Sequence, residues 1–194
     1  MKIIKVVLVT LVISSLIGVF AIGVYMASGG YNVAATAPHT PPVKWLLGTA
    51  VHRSIAVRSA DIKVPLLGNA TQLRQGARSY EVMCASCHAP PGRRTTALAR
   101  GLYPAPPDLT HTAEHHSPEY VFWAVKHGIK ASGMPAWGPT HDDADLWPIV
   151  ALVMAFPGMD AATYERLSTS TADAGAQSHP QEPGASAHQH DHAH

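Results

Sequence analysis

Charge is scarce in this chain. Asp, Glu, Lys and Arg make up 14% of the 194 residues, against about 25% in an average soluble domain. Lys and Arg together number 14 and Asp and Glu 13, so no net positive field exists to hold nucleic acid. Cysteine is scarcer, at two residues. Two thiols exclude a disulfide scaffold, a four-thiolate zinc site and a four-thiolate iron–sulfur cluster. Whatever the cysteines do, they do as one pair. Alternating strand patterns of useful length are also lacking, as are a phosphate-cradling glycine loop, a Ser/His/Asp set and paired carboxylates. Nothing in the sequence therefore marks the chain as a catalyst by itself.

The charge that is present is unevenly ordered. Residues 1–100 carry eleven Lys/Arg and two acids, Asp61 and Glu81, whereas residues 101–194 carry three Lys/Arg and eleven acids. The halves either keep two electrostatic faces or mix on folding.

Four segments follow from composition. Residues 1–28 contain Lys2 and Lys5, then a run from Val6 to Met26 without a charge. A helix of that length matches the hydrocarbon thickness of a bilayer. A cleaved signal peptide has a shorter apolar core, and Ala35-Thr36-Ala37 lies far beyond this run for a peptidase site. The expectation is an uncleaved transmembrane anchor. The lysines before the span place the N-terminus in the cytoplasm and the rest outside a bacterial inner membrane, in the periplasm. Residues 29–68 read as a stalk. Within it Trp45, Leu46, Ala50, Ile55 and Val57, with Lys44, Arg53 and Arg58, suit a short amphipathic helix that lies on the membrane or packs on the domain that follows. Residues 69–160 read as an all-α folded core. Asn69 or Thr71 opens a helix to about Met83. Ser117-Pro118-Glu119 opens another that Gly128 stops, and Thr140 with Asp143 resembles a capping box for a third. Pro148 should kink that third helix or delay its start. Residues 161–194 lose aromatics after Tyr164 and end in a run with His188, His190, His192 and His194, a composition expected to stay disordered. The alternating imidazoles, with His179, are candidate ligands for copper, nickel or zinc.

The strongest motif is Cys84-Ala85-Ser86-Cys87-His88. Two thiols three positions apart can form thioethers to the two vinyl groups on one edge of a porphyrin, and the next residue then sets an imidazole under the iron. A thioredoxin-like pair would need a βαβ setting, and a zinc site two further ligands at matching spacing; neither is present. The expected cofactor is a single covalent haem c.

With that motif in view, residues 69–158 resemble a small class I c-type cytochrome, here with an N-terminal transmembrane helix. Gly76 and Tyr80 stand eight and four residues before Cys84 on one helical face. The resemblance implies that they form the contact between the first and last helices. Pro104-Ala105-Pro106-Pro107-Asp108-Leu109 resembles the loop whose carbonyl accepts a hydrogen bond from the Nδ1 of the ligand histidine, with Pro106 and Pro107 both candidates. Gly133-Met134-Pro135-Ala136-Trp137 resembles the loop that brings the sixth ligand, Met134, to the iron. Met83 adjoins the attachment site, Met154 and Met159 suit core packing, and His127 and His141 are the competing ligands. Arg93, Arg94, Arg100, Tyr103 and Trp137 are candidate partners of the haem propionates, Trp137 the best placed by the resemblance.

A haem with both axial positions filled by protein has no vacancy for dioxygen or substrate, and His/Met ligation raises the reduction potential. The resulting expectation is an electron carrier tethered to the membrane, exchanging single electrons with membrane or periplasmic redox proteins. The rival expectations are a haem sensor with a displaceable sixth ligand and metal handling by the tail.

Overall fold

The computed structural model describes residues 2–169. It is helical throughout, with no strand among the described residues, as the sequence led us to expect. The elements are α1 (Lys2–Ala27), α2 (Pro41–Ser59), α3 (Ala70–Met83), α4 (Ala97–Gly101), a 3-10 turn (Leu109–His111), α5 (Thr112–His115), α6 (Pro118–His127), α7 (Asp143–Ala155) and α8 (Ala161–Thr169). Helix α1 has 26 residues, about 39 Å at the α-helical rise, and is long and apolar enough to cross a membrane.

The core forms where α3, α6, α7 and α8 meet. Ala77, Tyr80, Val121, Phe122, Leu146, Ile149, Leu152, Phe156 and Tyr164 are all buried there. Helix α3 is capped by Asn69, whose side chain accepts from the Gln72 N–H at 2.9 Å. It presents Gly76, Ala77 and Tyr80 to the core. Gly76 meets α7 backbone to backbone. A Cβ there would overlap the Pro148 carbonyl oxygen and lie 2.7 Å from its carbon and 3.2 Å from Leu152 Cβ. The expected contact of Gly76 is therefore present, between α3 and α7, and it exists because residue 76 has no side chain. Phe122 of α6 and Trp147 of α7 stack with ring centroids 4.0 Å apart.

Two expectations about α7 need correction. Asp142, not Thr140, stands at its N-cap, and Asp143 and Asp145 fill its first turn, complementing the positive end of the helix. The Thr140 hydroxyl instead bonds the Trp137 carbonyl and His141. Pro148 does not delay the helix's start; it lies buried inside it, with its carbonyl against Gly76.

The segment after 160 also departs from expectation. Residues 161–169 are helical and belong to the core. Asp160 caps α8 by accepting from the Thr163 N–H at 2.7 Å, and Tyr164 is fully buried beside Tyr80 and Phe156. Its hydroxyl donates to Glu81 at 2.8 Å. Arg93 pairs with both Glu81 and Glu165, tying α3, the 90s loop and α8 together across the two halves of the sequence. One buried aromatic and a bridged pair of carboxylates outweigh the polar composition around them. The remainder of the expected tail, with His179, His188, His190, His192 and His194, lies outside the described residues.

The stalk is more ordered than a spacer. Helix α2 packs on α6, burying Ile55 and Ser59. At that junction His52 shares a 2.9 Å hydrogen bond with the Tyr120 hydroxyl. The His116 ring stacks on Tyr120 at 4.2 Å and lies 5.7 Å from His52. Upstream, the His39 N–H donates to the Tyr103 hydroxyl at 2.8 Å.

Candidate functional site

Residues 84–88 form one tight turn that continues α3. The Cys84 and Ala85 N–H groups both donate to the Tyr80 carbonyl (2.8 and 2.9 Å), and the Cys87 and His88 N–H groups donate to the Cys84 carbonyl (3.0 and 2.8 Å). Tyr80 holds the far end as well, since its hydroxyl donates to the His88 carbonyl at 2.8 Å. Ser86 is tied down by Thr96, whose hydroxyl donates to its carbonyl at 2.5 Å. A single buried tyrosine thus fixes both ends of the turn that carries the two thiols. Burial keeps the Tyr80 hydroxyl protonated well above the ordinary tyrosine range, so it stays a donor.

His88 is oriented by the loop that follows. Its Nδ1–H donates to the carbonyl of Pro107 at 2.9 Å, which resolves the choice between Pro106 and Pro107 at the level of this hydrogen bond. The next residue explains why this loop holds its shape. Asp108 caps the 3-10 turn, accepting from the Thr110 N–H at 2.9 Å and its hydroxyl at 2.7 Å, and these bonds hold its carboxyl below the usual range. Burial lowers the His88 imidazole pKa, against the opposing effect of the Pro107 bond. A neutral ring with its proton on Nδ1 keeps its lone pair on Nε2, the form that ligates a metal.

Met134 sits in a loop built around Gly128, which ends α6 with φ at +64°. A Cβ there would lie 2.7 Å from both the Pro135 carbonyl carbon and the Ala136 N, so only glycine lets the returning chain pass. The return is pinned on both sides. Ile129 N–H donates to the Met134 carbonyl (3.2 Å), and Met134 N–H to the Ser132 hydroxyl (3.2 Å). Trp137 and Gly138 N–H groups donate to Val125 and Lys126 carbonyls (3.2 and 2.9 Å). Met134, Trp137, Cys84 and Met83 are partly buried against the same core.

The other expected residues divide. Pro106 is half-buried and Arg94 exposed. Arg93, offered as a propionate partner, is committed to Glu81 and Glu165. Arg100 donates to the Thr95 carbonyl at 2.9 Å, and the Tyr103 hydroxyl accepts from His39. His127 is exposed, lying against Trp123, and His141 packs edge-on to Trp137 at 5.6 Å. Sequence reasoning missed the Glu81–Arg93–Glu165 bridge and α8. Asp160 followed by Thr163, with Tyr164 as the next residue, was the available helix-start signal.

The donor set fits a covalently held haem. Cys84 and Cys87 are unpaired thiols one helical turn apart, and His88 is neutral and oriented by a carbonyl. Burial and the neighbouring Cys87 push the Cys84 thiol up to about 12, so it stays protonated at neutral pH. Among the described residues no group of three or more His, Cys, Asp or Glu forms an alternative metal cluster.

Residues 71–153 match the family described as cytochrome C oxidase, cbb3-type, subunit III. The matched span runs from α3 through most of α7 and includes the attachment turn, the proline loop and the Met134 loop. The match supports a c-type cytochrome family with covalently bound haem and a part in electron transfer, on an all-helical fold consistent with that of a cytochrome c. No curated protein and no solved structure matches the chain.

Proposed function

We propose that this chain is a membrane-tethered, monohaem c-type cytochrome that carries single electrons between redox proteins outside the cytoplasm. The observation that carries the reading is the hydrogen bond from His88 Nδ1 to the Pro107 carbonyl, because it fixes an imidazole beside two thiols in the tautomer an iron requires. A single pair of cysteines in the sequence supports one haem. Bound haem supplies a one-electron iron couple.

The chain's own residues would do the rest. Cys84 and Cys87 hold the porphyrin edge, and His88 Nε2 is the proposed fifth donor. The Pro107 carbonyl raises the basicity of the ring and stops it rotating. Met134 is the proposed sixth donor, carried by a loop already stitched to α6. With the Met134 thioether and the His88 imidazole both donating, bound haem would offer no position for an outside ligand, which would suit outer-sphere electron transfer and a raised potential. Trp137 and Arg94 are the proposed propionate neighbours. Helix α1 is the proposed anchor, with the haem domain on the periplasmic side. The description of the matching family supports a place beside, or within, a terminal oxidase complex.

The test is spectroscopic. The purified chain should keep its haem through acid–acetone extraction and be low-spin in both oxidation states. Met134→Ala should turn the ferric iron high-spin and abolish reduction by the physiological donor. A variant that stays low-spin would remove Met134 from the coordination sphere. One that goes high-spin yet keeps its cellular role would favour a sensor with an exchangeable sixth ligand. Haem lost on extraction would overturn the reading as a whole.

A further inference from the structure

Helix α2 has two faces of different character. Ile55 and Ser59 are buried against the domain, with Gly48 and Val51 half-buried on the same side. On the opposite side Leu46, Ala50, Arg53 and Val57 recur at i, i+4, i+7 and i+11 and fall in one stripe. All four are exposed, and the neighbouring Trp45 is 70% exposed. Leu46 and Val57, with Trp45 to one side, therefore point away from the protein on a helix already anchored by its other face.

Charge and continuity indicate what covers the stripe. Helix α2 carries Lys44, Arg53 and Arg58 and no acidic residue, and no Asp or Glu occurs anywhere before Asp61. It is joined to the apolar helix α1 by residues 28–40, which reach at most about 45 Å when fully extended. That reach is shortened because His39 is fastened to Tyr103. An exposed stripe of Leu46, Ala50, Arg53 and Val57 with Trp45 beside it, on a helix with two further basic residues and close to a membrane span, has the composition of a helix seated at a lipid interface. We propose that the outer face of α2 lies on an anionic lipid surface, so that α2 is held between the bilayer and α6. This rests on the reading of α1 as a membrane anchor. The haem domain would then face its partners in one orientation rather than swinging on a loose tether.

The experiment uses the full-length holoprotein, in which thioether linkage leaves neither native cysteine open to labelling. Nitroxide labels are attached at Leu46→Cys and, as a control on the haem domain, at Leu98→Cys, which is also exposed. The protein is reconstituted into phosphatidylcholine vesicles with and without phosphatidylglycerol. Flotation reports the anchor, and collision with oxygen against a water-soluble nickel complex reports depth. The label at 46 should be severalfold less accessible to nickel than the label at 98, and favour oxygen, in the phosphatidylglycerol vesicles. Replacing Lys44, Arg53 and Arg58 together by Glu should leave flotation intact while returning the label to water. A floated protein whose label at 46 is as wet as that at 98 would overturn the proposal and leave the anchor standing. Shielding from both reagents alike, unchanged by lipid charge, would overturn it in favour of a protein partner. Failure to float would overturn the anchor and the proposal together.

Discussion

Gly76→Ala is the sharpest perturbation of the crossing between α3 and α7. Taken alone, alanine in mid-helix should stabilise α3 by about 1 kcal/mol over glycine. The added Cβ, however, would overlap the Pro148 carbonyl oxygen and lie 2.7 Å from its carbon and 3.2 Å from Leu152 Cβ. Two of these atoms belong to the backbone of a buried helix, so no side-chain rotation relieves the overlap. The helices must part by roughly 1 Å, the scale at which dispersion contacts lose a quarter to a half of their depth. Ala77, Tyr80, Ile149 and Leu152 all lie in the cluster that would loosen. Overpacking of this kind costs about 1–3 kcal/mol, and an overlap with buried backbone belongs in the upper half of that range, so after the helix gain the net change is a destabilisation of about 1–2 kcal/mol. For a domain of this size that is a drop of roughly 4–16 °C in Tm. Gly48→Ala is the matched control, since a Cβ at that mid-helix position in α2 meets nothing within 4 Å; it should hold or raise the stability of its helix. Thermal unfolding of the holoprotein in detergent, followed by far-ultraviolet circular dichroism and by the haem absorption, reads both variants. A Gly76→Ala protein as stable as the wild type would refute the reasoning, because helix propensity would then outweigh the contact.

Further outcomes concern α8 and the α2–α6 junction. Tyr164→Ala should cost about 3–5 kcal/mol through the cavity it opens. Tyr164→Phe should cost about 1–2 kcal/mol through the lost bond to Glu81. Denaturant midpoints that place the two variants together would show that the ring itself contributes little. At the junction, burial together with the His52 and His115 imidazoles holds the His116 pKa below its ordinary value. A depressed histidine resists protonation in the folded state. Its contribution to stability is therefore complete above about 6.5, the unfolded value, and is lost as pH falls through the lower folded value. Amide exchange across α2, corrected for intrinsic rates, should accelerate on acidification below that point. His116→Gln should flatten the response; an unchanged pH profile in that variant would assign the effect elsewhere.

The parts of the molecule legible in the sequence were those governed by local rules. The Asn69 cap, the Ser117-Pro118 start and the Gly128 stop are each written within four residues, and the helices begin and end there. The spacing of Cys84, Cys87 and His88 is likewise local, because a haem edge and its ligand impose it. What the sequence left open depended on distant partners. Pro106 and Pro107 are equivalent in composition, and only the fold brings the Pro107 carbonyl to His88. Pro148 argued against a continuous helix on propensity, yet packing against Gly76 keeps it inside one. Residues 161–169 looked like the start of a polar tail because their burial hinges on one ring, Tyr164, and on Glu81, far earlier in the chain. Helix α2 carried signals for two environments; one face packs on α6, and the other is the face we propose for the lipid surface.

The bridge from Glu81 through Arg93 to Glu165 has a mechanical consequence. Arg93 grips carboxylates on α3 and α8 while Tyr164 is seated among Tyr80 and Phe156, so α8 acts as a cleat at the end of the described chain. A pull on the residues that follow would load this cleat in shear. The load passes to Tyr80 and Glu81 on α3, just before Cys84, and to Phe156 at the end of α7. Tyr80 also bonds the His88 carbonyl, so a tug at the C-terminal histidines would reach the attachment turn through α3 before it reaches Met134, whose loop is stitched to α6.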